Sequence, residues 1–185
     1  MYGARMLRSV TFPLQAQQFF NEGWLQLQCG RHVEAVASFT SAHSKGYSPA
    51  AAHLSWLLLF GFPGVAQDRN RAFELLASAN HAQCCHCQGC LACCYAEGWG
   101  APKNPALALA LAKQSASAGS CFGLYMTGWF HENGGGVAEV NKSLALELYE
   151  RAASMGLAAA QNNAGFMYAA ACSSERVHLL PIPDS

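Results

Sequence analysis

One period runs through this chain. Segments 34–39, 71–76, 107–111 and 144–149 resemble one another, and their aligned alanines are Ala35, Ala72, Ala108 and Ala145, separated by 37, 36 and 37 residues. A second set of segments begins at Ala50, Cys87, Gly123 and Ala160, again 37, 36 and 37 apart. In the first three copies a glycine stands eleven residues after the start (Gly61, Gly98, Gly134), and the fourth reaches Ala171. Two landmarks that keep one period mark a repeated supersecondary unit. Such a unit buries its apolar face only by stacking on its neighbours.

Each repeat reads as two helices. The first carries apolar and small residues at helical spacing, as in Leu54, Trp56, Leu57 and Leu58, and stops at its glycine. A short loop follows, and then Asp68, Asn104 or Asn141 stands at an equivalent place. These side chains can accept the open N–H groups at the start of the second helix. Pro105 fits the first helical position after Asn104. Ala35, Ala72, Ala108 and Ala145 share one phase mid-helix, where a side chain ending at Cβ lets helices approach closely. Leu75, Leu111 and Leu148 lie three residues further on and are expected to fill the space between hairpins.

Composition narrows the function. Eleven Lys and Arg balance eleven Asp and Glu, and only 12% of the 185 residues are charged, about half the usual share. There is no basic surplus to displace counterions from phosphates, so a nucleic-acid partner is not expected. Apolar types make up 52%, which excludes intrinsic disorder. The longest apolar stretch, 50–65, contains His53, Ser55 and Pro63 and is shorter than the ~20 residues of a spanning helix, so no membrane span is expected. Arg5 and Arg8 precede the first acid, Glu22, in the manner of a mitochondrial presequence, although the segment is poor in serine. The compartment expected is the cytoplasm, with the mitochondrion as the alternative.

The order Gly-x-Gly-Val, Asp or Asn, then Leu-Ala-x-Glu-Leu-Tyr-x-x-Ala-Ala-x-x-Gly resembles the Sel1-like repeat. Its clearest copy runs from Gly134 to Gly156, followed by 160–168. The first repeat lacks the long loop and resembles a tetratricopeptide unit through Phe19, Gly23, Ala35, Phe39 and Ala42. The resemblance covers about residues 15–171. Ser55 and Ala92 stand where the family has glycine in a first helix, and Leu58 and His131 where it has tyrosine. The fold implied is all-α: a right-handed α/α solenoid of about four and a half hairpins over 15–172. A weakly ordered segment, 1–14, precedes it and an unstructured tail, 173–185, follows. The last helix, Leu157 to about Cys172, is expected to cap the array.

By the same analogy, first helices line a concave groove, and the residue six after each start should face it. That register holds Trp24, Trp56, Cys93, Trp129 and Phe166; four residues earlier stand Phe20, Ala52, Gly89, Tyr125 and Asn162. The candidate partner-binding residues are therefore Phe20, Trp24, Trp56, Tyr125, Trp129, Asn162 and Phe166. The competing reading is that these rings pack between adjacent first helices as core.

The run 84–94 holds most of the nine cysteines. Cys84, Cys87, Cys90 and Cys94 form an alternative thiolate metal set or a redox centre. The repeat register puts most of this run on a first helix, where Cys87 takes the place of Ala50, Gly123 and Ala160 and reads as a small packing residue. Some cysteine-rich bacterial Sel1-type proteins bridge the two helices of each hairpin, which implies a β-lactamase-like hydrolase as a further alternative. Here Ser115 and Ala116 stand where that ladder needs a cysteine. An odd cysteine count without the ladder favours reduced thiols. Gly119-Ser120-Cys121-Phe122-Gly123 spells a nucleophile elbow, but it falls at a helix–helix junction rather than a strand–turn–helix. No catalytic residue and no cofactor is expected. The function expected is that of a non-enzymatic adaptor holding a protein or peptide partner in the groove, in a larger complex.

Overall fold

The computed structural model describes residues 13–79, 84–136 and 139–178, with side chains as far as residue 172. Nine helices occur among them: α1 (Leu14–Gln28), α2 (His32–Ser44), α3 (Ser48–Phe60), α4 (Arg69–Ser78), α5 (Cys85–Glu97), α6 (Pro105–Ser117), α7 (Cys121–Asn133), α8 (Lys142–Ser154) and α9 (Ala158–His178). No strand occurs among the described residues, and one isolated bridge, Phe62 to Val65, closes the α3–α4 loop. The order is that of four helical hairpins and a lone final helix, the all-α repeat solenoid expected. The chain divides into two compact units, Met1–Ala72 and Phe73–Ser185.

The loops are fixed by the same bonds in each repeat. Gly61, Gly98 and Gly134 end α3, α5 and α7 at φ +69°, +77° and +85°, a backbone region that L side chains rarely adopt. The N–H groups of Asp68, Asn104 and Asn141 then donate to the carbonyls of Leu58, Tyr95 and His131, each at 2.8 Å. Their side chains accept from the N–H groups of Arg71 at 3.0 Å, Leu107 at 3.1 Å and Leu144 at 2.9 Å, as the sequence predicts. The loop is thus anchored through a backbone carbonyl at residue 58, 95 or 131. This explains why leucine or histidine can stand there in place of tyrosine.

Packing follows the small-residue register. Ala35, Ala72, Ala108 and Ala145 are all fully buried. The first helix is sized to the second. Gly23 faces the Phe39 ring, where an added Cβ would come within 2.9 Å, and Gly128 faces Tyr149 at 3.0 Å. Where the second helix carries only Ala112, the first carries Ala92, and the two share one core cluster with Ala96, Ala108, Met126 and Phe130. The departure at Ala92 is therefore volume compensation. In the first unit, Phe39 stacks on His53 at 5.3 Å and meets Phe20 at 5.6 Å.

The last helix runs past the Cys172 end expected from the sequence. Ala171 stands where the other first helices stop at glycine, and neither Gly nor Pro occurs before Pro181. Nothing halts the helix, so the tail read as unstructured from residue 173 is helical as far as His178. Residues 179–185, and the presequence-like residues 1–12, lie outside the described residues.

The close approaches can be tested by adding single methyl groups. A Cβ on Gly123 would lie 2.4 Å from both the Ala116 amide nitrogen and Ser115 Oγ, whereas one on Gly165 meets nothing within 4 Å. Gly123→Ala should lose about 1–3 kcal/mol. Gly165→Ala, at an exposed helical site, should gain about 0.5–1 kcal/mol. Urea denaturation of both variants measures the contrast.

Candidate functional site

The second unit brings two groups of side chains together. The first lies where α7, α8 and α9 meet. Tyr149 is fully buried and its hydroxyl donates to Glu132 Oε2 at 2.7 Å. The Tyr125 ring lies 5.5 Å from that of Tyr149, and Asn163 hydrogen-bonds both tyrosines. Burial pushes the Tyr125 hydroxyl up to about 12, and burial with the Glu132 bond raises Tyr149 as well. Beside this network opens a cleft of about 380 Å³, lined by Glu132, Lys142, Leu146, Phe166, Met167 and Ala170 among others. Phe166 is 75% exposed, so a ring stands open to solvent at a cleft with one acid and one base on its wall.

The seven residues expected in the groove are placed differently from one another. Phe166 and Asn162 are exposed, and Tyr125 and Trp129 are half-buried, Trp129 lying edge-on to Phe130 at 5.2 Å. These four belong to the second unit. In the first unit, Phe20 and Trp24 are half-buried, with His53 against both at 5.2 and 5.4 Å. Trp56 is only 6% exposed and lies 4.5 Å from Phe60, in the manner of the core alternative. Cys93, Ala52 and Gly89, which share the two registers, are buried too.

The second group is the thiol-rich start of α5. Cys84 is the N-cap residue, with φ −115° and ψ 98°, and its Sγ accepts the Cys87 N–H at 3.4 Å. Ser120 caps α7 in the same way, accepting the Gly123 N–H at 3.4 Å. Cys84 and Ser120 stand 36 residues apart, so the repeat register carries the signal that Cys84 is a cap. Cys87, Cys90 and Cys94 are fully buried. Ser115 Oγ donates to the Cys85 carbonyl at 2.6 Å, and His86 Nδ1 lies 3.0 Å from Ser120 Oγ. No disulfide joins any of the nine cysteines. The alternative metal set is not assembled: among the described residues no group of three or more Cys, His, Asp or Glu could hold an ion. Cys121, the would-be elbow nucleophile, is the first residue of α7 at a helix–helix junction, and burial pushes its thiol up to about 11.

Comparison with known proteins fits this geometry. A family model described as the Sel1 repeat matches residues 48–82, 91–120 and 122–157. The chain belongs to the Sel1 repeat family. Sel1 repeats typically mediate protein–protein interaction and are generally non-catalytic scaffolds. Among solved structures, the chain is similar to a Sel1 repeat protein from Oxalobacter formigenes, with 25% identity and a TM-score of 0.55 over 74% of this chain and 56% of that one. It is also similar to c5321, a protective antigen present in uropathogenic Escherichia coli strains that displays an SLR fold, with 26% identity and a TM-score of 0.51 over 84% of this chain and 34% of that one. The chain thus spans about half the length of the first and a third of the second. No curated protein matches. The first hairpin, α1–α2, lies outside the matched repeats, in keeping with its tetratricopeptide-like sequence. Among the described residues, no helix is long and apolar enough to cross a membrane.

The buried thiols of this Sel1 array set an alkaline limit on stability. Burial raises Cys94 to about 12, Cys121 to about 11 and Cys90 well above the ordinary thiol value of 9.0. The unfolded chain releases those protons near pH 9 while the folded chain keeps them. Above that pH the unfolded state therefore binds fewer protons, and stability falls as pH rises. Cys84 acts in the opposite sense. Its thiol is lowered to about 7, chiefly by the bond from the Cys87 thiol, and its contribution is lost as pH falls through that value. Urea midpoints should therefore drop between about pH 8 and pH 10.5, and drop less in Cys94→Ala than in the wild type.

Proposed function

We propose that this chain is a non-enzymatic interaction adaptor that takes a protein or peptide partner, rather than nucleic acid, on the surface of its first helices. The observation that carries the reading is Phe166, 75% exposed at a cleft of about 380 Å³. An exposed ring beside an apolar cleft can be covered by a partner's apolar side chain, and burying one such side chain is worth about 1.5–3 kcal/mol. Glu132, held by Tyr149, can accept a partner N–H, and Lys142 can donate to a carbonyl. Half-buried Trp129 and Tyr125, with exposed Asn162, extend the candidate surface on α7 and α9. Phe20 and Trp24 offer part of their rings in the first unit, where Trp56 is only 6% exposed. Little long-range steering is expected from a chain of zero net charge, so contact is apolar and short-ranged. An odd count of nine cysteines, with Ser115 and Ala116 where a disulfide ladder would need cysteine, suits a reducing compartment such as the cytoplasm.

The test is quantitative co-purification with the wild-type chain, Phe166→Ala, Trp129→Ala and the control Val33→Ala, an exposed residue of the second helix α2. Truncating a hot-spot aromatic costs about 2 kcal/mol or more, so Phe166→Ala and Trp129→Ala should each weaken capture of a shared partner by about tenfold or more, while Val33→Ala leaves it unchanged. Folded Phe166→Ala and Trp129→Ala chains that retain every partner at wild-type level would contradict the reading.

A further inference from the structure

The loop after α7 shows what belongs in the cleft beside Phe166. Residues 134–136 fold back onto the hairpin behind them. A Cβ added to Gly135 would lie 3.3 Å from the Phe130 ring and 3.6 Å from that of Trp129. One added to Gly136 would lie 3.7 Å from both the Leu109 side chain and the Pro105 carbonyl oxygen. Pro105, Leu109, Trp129 and Phe130 thus form the seat of this loop. The residues 37 positions further on are Lys142, Leu146, Phe166 and Met167, and all four line the cleft of about 380 Å³.

The same seat recurs earlier in the chain. Gly100, after α5, rests on Phe73, where an added Cβ would lie 2.9 Å from the Phe73 Cγ. Phe73, Leu109 and Leu146 stand 36 and 37 residues apart. Within the first unit, Gly64 rests on Val33 of α2, at 2.6 Å from an added Cβ. Gly64, Gly100 and Gly136 have φ +80°, +73° and +112°, a region open to glycine and strained for other residues. Each of these seats is therefore covered by a turn whose glycine lies against a second helix. Burial follows the cover. Under the 134–136 loop Phe130 is fully buried and Trp129 half-buried, whereas at the uncovered seat Met167 is half-buried and Phe166 is 75% exposed.

We propose that the cleft is a loop seat left open by the chain, and that its occupant is a glycine-bearing turn presented by a partner protein. The inference rests on the reading of the Phe166 cleft as a partner surface and adds the chemistry of what enters it. The chain does not turn into the seat after α9 as it does after α7. Ala171 and Ser173, which stand 37 residues after Gly134 and Gly136, both lie inside α9. Residues 179–185 contain no glycine. Among the described residues, a second copy offers no spare turn of this kind, because Gly64, Gly100 and Gly136 are seated in their own repeats. A partner's turn has what the seat requires. Its glycine can lie flat on Leu146, and an apolar neighbour, as Phe62 and Trp99 are in the earlier loops, can cover Phe166. Glu132 and Lys142 on the wall can accept from and donate to the peptide groups of the turn.

The test titrates the full isotope-labelled chain with a head-to-tail cyclic peptide of residues 97–104, a pre-formed copy of the turn after α5, and follows backbone amide shifts by NMR. Saturable shifts are expected in residues 142–146 and 166–171, with a Kd below about 1 mM. The peptide carrying Gly100→Val should bind about tenfold more weakly or worse, as should the unaltered peptide to a Phe166→Ala chain. The peptide variant leaves the protein untouched, so it decides the question if Phe166→Ala fails to fold. No saturable binding, or equal binding of the Gly100→Val peptide, overturns the proposal. Binding that appears only after residues 179–185 are deleted makes the chain's own tail the occupant and overturns it too, as does self-association that Phe166→Ala abolishes. Loss of co-purified partners in Phe166→Ala without any peptide binding would keep the adaptor reading and overturn the turn as its ligand.

Discussion

Close approach between helices is the constraint on which this structure depends. At Gly89 an added Cβ would lie 2.6 Å from the Gly123 amide nitrogen, so α5 and α7 meet almost backbone to backbone. Gly123 in turn rests on Ser115 and Ala116 of α6. Nothing larger than hydrogen fits these places without moving a helix. The alanines at the joint phase of the second helices serve the same need less stringently. A chain with so many small residues cannot build its core from bulky side chains alone. It gains burial by bringing helices together and inserting a few large rings, Phe39 and Tyr149 foremost, where the facing residue is glycine.

Much of this was legible because the repeat exposes equivalent positions to comparison. The period located the hairpins, the joint alanines and the three capping side chains at 68, 104 and 141, and each matches the structure. Three features were not legible. Cys84 was read as one member of a cysteine run, since its role depends on its position at a helix start rather than on its neighbours in sequence. The Tyr149–Glu132 bond joins residues 17 apart on different helices, with no motif to announce it. Trp56 was placed in a groove by analogy with a register, yet burial at one register varies along the chain, from Cys93 at 4% to Phe166 at 75%. A register fixes the direction of a side chain on its helix. What covers that side chain depends on the neighbouring elements.

The same physics sorts the cysteines. Most occupy small-residue places and are inert because burial holds them protonated. Cys84 differs because it occupies a cap, where the equivalent residue of the next repeat is Ser120. Replacing a hydroxyl by a thiol at that place keeps the hydrogen bond and adds a group that ionises near neutrality. The cleft around Phe166 lies where α9 meets α8 and the end of α7. The cleft beside Phe166 and the thiol cap at Cys84 are thus both local departures from an otherwise repeated unit.

The central claim is that the first helices are sized to the side chains they face, with glycine where the facing side chain is a large ring. A double-mutant cycle on Gly128→Ala and Tyr149→Leu tests it most directly, by urea denaturation of the four chains. An added methyl at residue 128 meets the Tyr149 ring at 3.0 Å, so it should destabilise the wild type and cost measurably less once the ring is gone. The account predicts a coupling of about 0.5 kcal/mol or more in that direction. Additive effects would contradict it, because they would mean that residue 128 does not sense the size of residue 149.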